Sequence, residues 1–298
     1  MSSHEFIAFA RAHGVEIDLQ RLDDSGKLRR CATTEHPNAK NGAYVWDGES
    51  GFCWAWDGEA RAVPFRQHAQ RENIDRSQAI ARRRLLQQER QAQAARAALK
   101  GHELLAQARP DVHGYLHRKG FPEAKGLVLP DGGLVIPMRE VHSNKLLGAQ
   151  VIRWLPVETR WEKKYLYGMA SKGAVLCLGD RHAPEKLFCE GYATGLSLEA
   201  AIRQAHMRVC VVVTFSAHNL THVASLMGGR RYVIADHDAP QRDPEKAALN
   251  PGEAGQRAAM ATGLPWAMPD EESTDANDLH VKRGLLAVVQ LVMKARAA

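Results

Sequence analysis

The chain has 298 residues, of which 45% are hydrophobic and 25% are charged, and its formal net charge is +6. This length and composition predict a globular protein with two or more domains, each able to bury its own core. Since no run approaches the about 20 consecutive apolar residues of a membrane-spanning helix, and the N-terminus lacks the layout of a signal peptide, we expect a cytoplasmic protein without membrane contact.

Residues 1–65 are predicted to form a small β-rich module. The stretch NGAYVWDGESGFCWAWDG, residues 41–58, alternates aromatic and small residues between turn signals, as short antiparallel strands do. Its aromatic residues are expected to supply the core, although any exposed ones could instead stack on single-stranded bases. These aromatic residues are Tyr44, Trp46, Phe52, Trp54 and Trp56.

The same module contains three residues of types that bind zinc, Cys31, His36 and Cys53. Structural zinc is nearly always held by four protein ligands, and these residues are only three. We therefore expect no zinc in this module. The chain has five cysteines, an odd number without a repeating spacing, which favours reduced thiols over a disulfide framework.

Residues 66–100 carry the excess of positive charge. They hold nine basic and three acidic residues, and this balance of +6 equals the net charge of the whole chain. Because the stretch has no glycine or proline and is rich in Ala, Gln, Leu and Arg, it is predicted to form a long exposed helix. The helix is either a solvated linker or an arm that contacts nucleic-acid phosphates.

Residues 101–180 are predicted to form a mixed α+β segment. The stretch HGYLHRKGF is typical of a helix that ends near a glycine. Two strands are expected at GGLVIPMREV and KLLGAQVIRWL, joined by the polar turn HSN. The stretch KKYLYGMASKG, residues 163–173, is expected to form a basic loop.

From residue 181 to residue 298, apolar strands alternate with helices. This pattern is typical of a parallel sheet with crossover helices. The predicted strands are KLFCEG, RVCVVVTF, RYVIADHD and GLPWAMP. The predicted helices are ATGLSLEAAIRQA, NLTHVASLM, GEAGQRAAMATG and the C-terminal LHVKRGLLAVVQLVMKA.

Three carboxylates fall at the ends of predicted strands: Glu190, Asp236 and Asp238. The carboxyl ends of parallel strands meet at one edge of a sheet, where ligands bind. Like charges at one edge raise each other's pKa values, and a divalent cation removes the conflict. We therefore expect Mg²⁺ or Mn²⁺ to be held by Asp236 and Asp238, with Glu190 sharing the metal or acting as a general acid or base.

These residues resemble the signature of the TOPRIM domain, a strand-end Glu followed by Gly and a later D-x-D. The domain is shared by topoisomerases, bacterial-type primases and some nucleases. Here the matches are Glu190-Gly191 and Asp236-His237-Asp238. The text FCEGYATGLSLEAA, VIADHD, GEAGQRAA and TDANDLH is similar in particular to TOPRIM primases of plasmids, phages and integrating elements. One departure is the segment APQRDPEKAALNP, which resembles a loop insertion between the D-x-D and Gly252.

The preceding block resembles the additional subdomain of bacterial primases. Its fragments YLHRKG, LVIPMR, KYL and KG stand in the order and spacing of that subdomain, and the resemblance covers roughly residues 110–285. It implies that several residues bind template or nucleotide phosphates. These are Arg139, Lys164, Tyr165 and Lys172, with Arg153 and Arg160 as further candidates.

The segment STDANDLH adds a second acidic pair. Primases carry a further pair of acids after the D-x-D, and Asp275 and Asp278 occupy its place. The resemblance therefore implies that Asp275 is a further metal ligand. A capped start of the C-terminal helix is the alternative.

Together these patterns predict an α/β fold with a mostly parallel TOPRIM sheet flanked by helices (181–298). A primase-like α+β subdomain (101–180), a basic helical linker (66–100) and a small β-rich module (1–65) precede it. The module resembles, in its place in the chain, the zinc ribbon of bacterial primases, in a degenerate form with Trp56 where the fourth ligand would fall.

The activity implied by the resemblance is that of a DNA primase. Such an enzyme makes short primers on single-stranded DNA from ribonucleoside triphosphates with Mg²⁺ or Mn²⁺. The alternatives are a TOPRIM nuclease and a non-catalytic nucleic-acid-binding accessory of a mobile element. Because the chain has no P-loop of the form G-x-x-x-x-G-K-[ST], unwinding is expected from a separate helicase or replication protein.

Overall fold

The computed structural model describes residues 2–56, 62–66, 76–242 and 252–298. The chain divides into two compact units, Met1–Arg76 with Pro240–Gly252 and Ser77–Ala239 with Glu253–Ala298. Among the helices of the described ranges, none combines the length and the apolar character needed to cross a membrane.

The first unit is a five-stranded antiparallel sheet with one helix, α1, packed on it. The strands are hydrogen-bonded in chain order, and α1 was not predicted from the sequence. Residues of α1 and of the inner sheet face form one buried cluster. The elements are α1 (Ser2–Ala12), β1 (Val15–Glu16), a 3-10 turn (Leu19–Arg21), β2 (Arg29–Thr33), β3 (Gly42–Trp46), β4 (Ser50–Ala55) and β5 (Val63–Arg66).

The aromatic core of this unit differs in part from the prediction. Tyr44 and Trp46 are buried as expected, and Trp46 stacks on Phe6 of α1 with ring centroids 4.4 Å apart. Phe52 and Trp56 are instead 38% and 36% exposed, and Trp54 is half-buried. Side chains alternate along a strand, so the inward position of Cys53 turns its neighbours Phe52 and Trp54 to the outer face.

Cys31 and Cys53 are free thiols in the same unit. Burial raises the pKa of Cys53 to about 11, and burial together with the neighbouring Cys53 raises the pKa of Cys31 to about 12. The absence of zinc from this module stays a prediction.

The second unit is built on a ten-stranded mixed sheet in the order β10-β9-β8-β11-β13-β12-β14-β15, with β7 also beside β8 and β6 beside β7. The strands are β6 (Arg109–Val112), β7 (Lys125–Val128), β8 (Leu134–Glu140), β9 (Leu146–Leu155), β10 (Arg160–Tyr165), β11 (Ala174–Leu178), β12 (Glu185–Cys189), β13 (Val209–Val213), β14 (Arg230–Ile234) and β15 (Trp266–Ala267). The helices are α2 (Arg76–Gln107), α3 (Gly114–Arg118), α4 (Tyr192–Gln204), α5 (Ala217–Leu226), α6 (Ala254–Ala261), α7 (Ala276–Arg283) and α8 (Leu285–Ala297).

Strand β11 joins the two blocks that the sequence separated at residue 180. Strands β12, β13, β14 and β15 are parallel, as the alternating pattern predicted. Strands β8, β9 and β10 are antiparallel, and β11 is antiparallel to both β8 and β13. Segments 101–180 and 181–298 therefore share one continuous sheet inside one compact unit.

Two predicted elements, the basic loop and the C-terminal helix, have different bounds in the structure. The basic loop predicted from residue 163 begins later, because Lys163–Tyr165 complete β10 through pairing with β9. The single C-terminal helix is two helices, because Gly284 has a left-handed backbone (φ 79°) between α7 and α8.

The predicted basic helix, residues 66–100, begins at Arg76 and continues to Gln107. Arg66 belongs to β5, and residues 67–75 lie outside the described ranges. The C-terminal part of the helix is packed rather than solvated. Ala97 is buried, and a Cβ on Gly101 would lie 3.1 Å from the Cα of Gly148 in β9. The last turns of this helix are therefore part of a packed unit and are not a free linker.

Gly195 allows α4 to approach the sheet directly beneath the strand ends. A Cβ at this position would overlap Cγ2 of Val213 and lie 3.3 Å from Cδ1 of Leu178. We expect Gly195→Ala to lower the free energy of unfolding by about 1–3 kcal/mol, because overpacking outweighs the helix propensity of alanine. Urea denaturation measures this change.

The matched control is Gly228→Ala, since nothing lies within 4 Å of a Cβ built there. Its effect should stay below about 0.5 kcal/mol. Equal stability changes in the two variants would contradict the packing argument.

Candidate metal and nucleic-acid site

Glu190 follows directly after β12 and is held by the neighbouring strand. The Thr214 N–H donates to the carbonyl of Cys189 (2.9 Å), and the Phe215 N–H donates to the carbonyl of Glu190 (2.8 Å). These two bonds hold the chain of Glu190 against the chain that follows β13. The backbone N–H of Ala217, the first residue of α5, lowers the pKa of the Glu190 carboxyl, against the larger raising effect of burial. The positive end of a helix stabilises a carboxylate at this place.

Asp236 and Asp238 follow β14, the other parallel neighbour of β12. The chain stays extended here, because the backbone of His237 pairs with that of Thr274 (N–H to carbonyl, 2.9 Å). The ring of His237 bonds through Nδ1 to the carbonyl of Pro269 at 2.8 Å. Alternation along an extended segment then places Asp236 and Asp238 on one side and His237 on the other.

Helix α6 closes on the D-x-D through a glycine. The Gly255 N–H donates to Oδ2 of Asp238 at 2.7 Å, and the Gln256 side chain bonds the backbone of Asp238. A Cβ on Gly255 would lie 2.7 Å from the carbonyl oxygen of Asp236, which is too close for any other residue without rearrangement. Sequence inspection named Gly252 as the next glycine, but the structure places Gly255 at the D-x-D.

The inserted segment leaves this contact intact. Pro240 and Gly252 form an isolated antiparallel bridge, so the chain departs and returns at the same place. Residues 243–251 lie outside the described ranges.

Asp275 caps α7, as one of the two alternatives predicted, and it also lies beside the other acids. It caps α7, because its Oδ1 accepts from the Asp278 N–H (2.8 Å) while its own N–H donates to Oδ2 of Asp278 (3.2 Å). Both acids also line an open cleft of about 270 Å³ together with Asp236 and Asp238. Capping therefore does not remove Asp275 from the acidic site.

Burial and mutual repulsion define the electrostatics of the site. Burial, followed by the charges of Asp275, Glu190 and Asp238, raises the pKa of Asp236 to about 8. Burial and then Asp238 also raise the pKa of Glu190. One oxygen of Asp236, Oδ1, is buried with no hydrogen-bond partner. Like charges and an unpartnered buried oxygen call for a positively charged ligand.

A hard divalent cation fits this donor set. Within the described ranges, no three His, Cys, Asp or Glu side chains form a ready-made metal cage. Mg²⁺ does not need one, since it usually keeps several waters and binds one or two carboxylates together with substrate phosphates. Asp236, through its unpartnered oxygen, and Asp238 are the residues suited to hold it.

The predicted basic residues are distributed over the sheet in different ways. Arg139 donates to the carbonyl of Asn144 at 3.1 Å. Three others form local ion pairs on the antiparallel part of the sheet. These pairs are Arg153 with Asp131 (2.8 Å), Arg160 with Glu158 (2.5 Å) and Lys164 with Glu162 (2.8 Å).

Tyr165 and the loop of Lys172 are tied to the edge that carries the acids. The Tyr165 hydroxyl donates to the carbonyl of Phe215 at 2.6 Å, next to Glu190. Burial, followed by the charge of Glu190, raises the pKa of Tyr165. Lys172 is exposed, and the following Gly173 N–H donates to Oδ1 of the buried Asn219 in α5 at 2.8 Å.

Lys163 is the basic residue that the sequence reasoning missed. Its charge opposes the raised pKa values of Glu190 and Asp236, so it acts on the acidic site directly. Its Nζ lies 5.6 Å from the centroid of the Tyr115 ring. Alternation was the available signal, because a strand that aims Tyr165 at the site also aims Lys163 there.

Comparison with known proteins identifies one domain in the chain. Residues 186–285, about a third of the sequence, match the family model described as the Toprim domain. This domain is shared by primases, nucleases and topoisomerases, typically binds Mg²⁺ through acidic residues and implies interaction with nucleic acid. The match includes all four candidate acids. A search of curated proteins finds no match to the chain.

The buried carboxyl of Asp236 predicts a stability that depends on pH in the absence of metal. Its pKa is about 8 in the fold and 3.8 ordinarily. The stabilisation is therefore complete below about pH 4 and is lost as pH rises through about 8. We expect Asp236→Asn to exceed the wild type in free energy of unfolding by about 2 kcal/mol or more near pH 9, with the difference shrinking towards pH 4.

Urea denaturation in a chelating buffer tests this expectation. Asp270→Asn is the matched control, because that carboxylate is 87% exposed, and it should follow the wild-type curve. Added Mn²⁺ should stabilise the wild type more than Asp236→Asn. Parallel pH curves for wild type and Asp236→Asn would contradict the prediction.

Proposed function

We propose that the chain is a primase-like nucleotidyltransferase that makes short primers on single-stranded DNA from ribonucleoside triphosphates, with Mg²⁺ or Mn²⁺. The observation that carries the proposal is the meeting of Glu190, Asp236 and Asp238 at one sheet edge, with a buried, unpartnered oxygen on Asp236. Phosphoryl transfer needs mainly positioning and neutralisation of charge, which a metal-bearing acidic edge provides.

Each acid has a part that follows from its surroundings. Asp236 and Asp238 hold the metal, and Asp275 adds negative charge from the capped end of α7. A bound divalent cation supplies neutralisation of phosphate charge and orientation of the reacting oxygens. Glu190, with its raised pKa and its position at the start of α5, serves as a further ligand or as the base for the primer 3′-hydroxyl.

The continuous sheet favours primer synthesis over hydrolysis. A nuclease needs the same acids but has no need of a basic antiparallel extension. Here strands β8 and β9, which carry Arg139 and Arg153, and strand β10, which ends at Tyr165, are joined edge to edge with the acid-bearing strands through β11. Together with the loop of Lys172, they supply cations for a template strand or an incoming nucleotide. An accessory without catalysis would not need a buried, mutually repelling acidic set.

The outer face of the first unit supports binding of a single strand. Phe52, Trp54 and Trp56 lie on one side of the chain at every second position. The ring centroids are 5.7 Å apart for Phe52 and Trp54 and 5.4 Å apart for Trp54 and Trp56. The guanidinium of Arg30 lies 3.7 Å from the centroid of Trp56. Exposed rings beside a cation bind successive bases with little regard to sequence.

Primer synthesis is the direct test. Purified protein is incubated with single-stranded DNA, labelled ribonucleotides and Mg²⁺ or Mn²⁺, and the products are resolved on a gel. We expect short products from the wild type and a loss of at least about 100-fold in Asp236→Ala/Asp238→Ala, because two metal ligands are gone. Glu158→Gln, an exposed acid paired with Arg160, serves as the control and should retain activity.

The other outcomes identify the alternatives. Shortened DNA without primers would assign nuclease activity to the same acids. Binding of DNA without any product, alone or with an added helicase, would assign an accessory role. Either result would refute the proposed synthesis.

Trp54→Ala tests the aromatic face separately. Stacking on a base contributes about 1–3 kcal/mol, so we expect the affinity for a labelled oligothymidylate to fall at least about fivefold. Fluorescence anisotropy measures the affinity. Leu19→Ala removes another exposed apolar side chain (47% exposed) of the same unit and should leave the affinity unchanged. An equal loss in both variants would contradict a stacking role.

A further inference from the structure

We propose that Lys163, rather than the adjoining Lys164, contacts the phosphate that is held at the acidic edge. The inference deepens the proposed function and rests on it, since it identifies the cation that faces the metal across the substrate phosphate. The phosphate belongs either to the nucleic-acid strand or to an incoming nucleotide.

The geometry of β10 separates the two lysines. Trp161, Lys163 and Tyr165 stand at every second position of the strand and therefore share one face. Contacts at both ends of the strand show what this face packs against. The Trp161 ring packs edge-on against Tyr115 (5.7 Å between centroids), and the Tyr165 hydroxyl donates to the carbonyl of Phe215, two residues past β13. Lys163 lies between these two anchors.

Lys164 lies on the opposite face of β10. Its Nζ is 2.8 Å from Oε1 of Glu162, which is two residues away on the same strand and shares that face. Glu162 is in turn paired in register with Arg153 of β9. The charge of Lys164 is thus already engaged in a local pair away from Glu190.

Lys163 differs in this respect. Among the described residues, no acidic side chain forms an ion pair with its ammonium group. Its Nζ lies 5.6 Å from the centroid of Tyr115, within the range of a cation–π contact. The Tyr115 ring is 2% exposed and packs against Trp161, so it is a rigid support beneath the ammonium.

A phosphate at the acidic edge would have a positive charge on two sides, the metal on one and Lys163 on the other. Tyr165, on the same face of β10, bonds to Phe215, whose N–H donates to the carbonyl of Glu190 at 2.8 Å, so this face is turned towards the acidic edge. Within the part of the chain that the structure describes, no ion pair joins the ammonium group of Lys163 to Glu190 or Asp236. A metal held by Asp236 and Asp238 would contact one side of a phosphate, and Lys163 would donate to another side. Lysine serves such a role as a compact charge with three donors.

Direct binding tests the assignment without relying on catalysis. The probes are ATP with Mn²⁺ by isothermal titration and a labelled oligothymidylate by fluorescence anisotropy at several salt concentrations. We expect Lys163→Gln to weaken at least one probe by about tenfold, the size of a lost charge-assisted contact. Lys164→Gln should change neither by more than about twofold.

Two further readouts separate a phosphate contact from a structural effect. Lys163→Arg should restore most of the affinity, since it keeps the charge. If the oligonucleotide is the ligand, Lys163→Gln should reduce the slope of log affinity against log salt by about one charge, whereas a packing defect would leave the slope unchanged. Loss confined to ATP assigns the phosphate to the nucleotide, and loss confined to the oligonucleotide assigns it to the strand.

The proposal is overturned if Lys163→Gln binds both probes like the wild type, if Lys164→Gln is the more damaging change, or if the wild type binds neither probe. Failure of the proposed function looks different. In that case the wild type makes no primers, yet its binding still depends on Lys163 and not on Lys164.

Discussion

Repulsion among partly buried carboxylates at the carboxyl edge of the sheet is the constraint on which the second unit depends. Asp236 is largely removed from water and surrounded by Asp275, Glu190 and Asp238, so its charged form is disfavoured. A fold that only maximised its stability would not assemble these groups. The surrounding backbone nevertheless holds them together by several independent contacts, and in the function that we propose a bound cation completes the arrangement.

Those contacts are mostly made by backbone atoms. Strands β12 and β14 are parallel neighbours, so the residues that follow them emerge side by side. The chain beyond β12 is held by N–H groups of the β13 end, and the chain beyond β14 pairs with residue Thr274. Gly255 brings the start of α6 against the D-x-D, and the capping box of α7 positions Asp275. Each acid therefore lies at the end of a strand or a helix. The backbone groups there have no partner within their own element and can hydrogen-bond to neighbouring residues.

The continuity of the sheet has a second consequence. Strand β11 pairs with the antiparallel block on one side and with the parallel block on the other, so the cations of β10 and the acids beyond β12 belong to one rigid support. Asn219 strengthens this join, because its side chain bonds Gly173 and Ala174 on one block and Thr214 on the other. Phosphoryl transfer depends on such fixed positioning of opposite charges.

The sequence by itself determined the elements whose signals are local. Apolar runs and helical periodicity identified β12, β13, β14, α4 and α5, and the acids after the strands identified the sheet edge at which Glu190, Asp236 and Asp238 lie. It also indicated the burial of Tyr44 and Trp46. These features depend on periodicity and on strand ends, which neighbouring residues set.

Only the tertiary structure decided which face of a strand turns outward, which residues contact each other and where some helices end. Phe52, Trp54 and Trp56 face outward because Cys53 faces the core, and Lys163 shares a face of β10 with Tyr165, which is anchored to Phe215, whereas Lys164 lies on the other face. Gly255 meets the D-x-D across an insertion, and Gly284 divides a helix that periodicity read as one. Such outcomes depend on contacts between residues distant in sequence, and a one-residue change of phase along a strand exchanges its two faces.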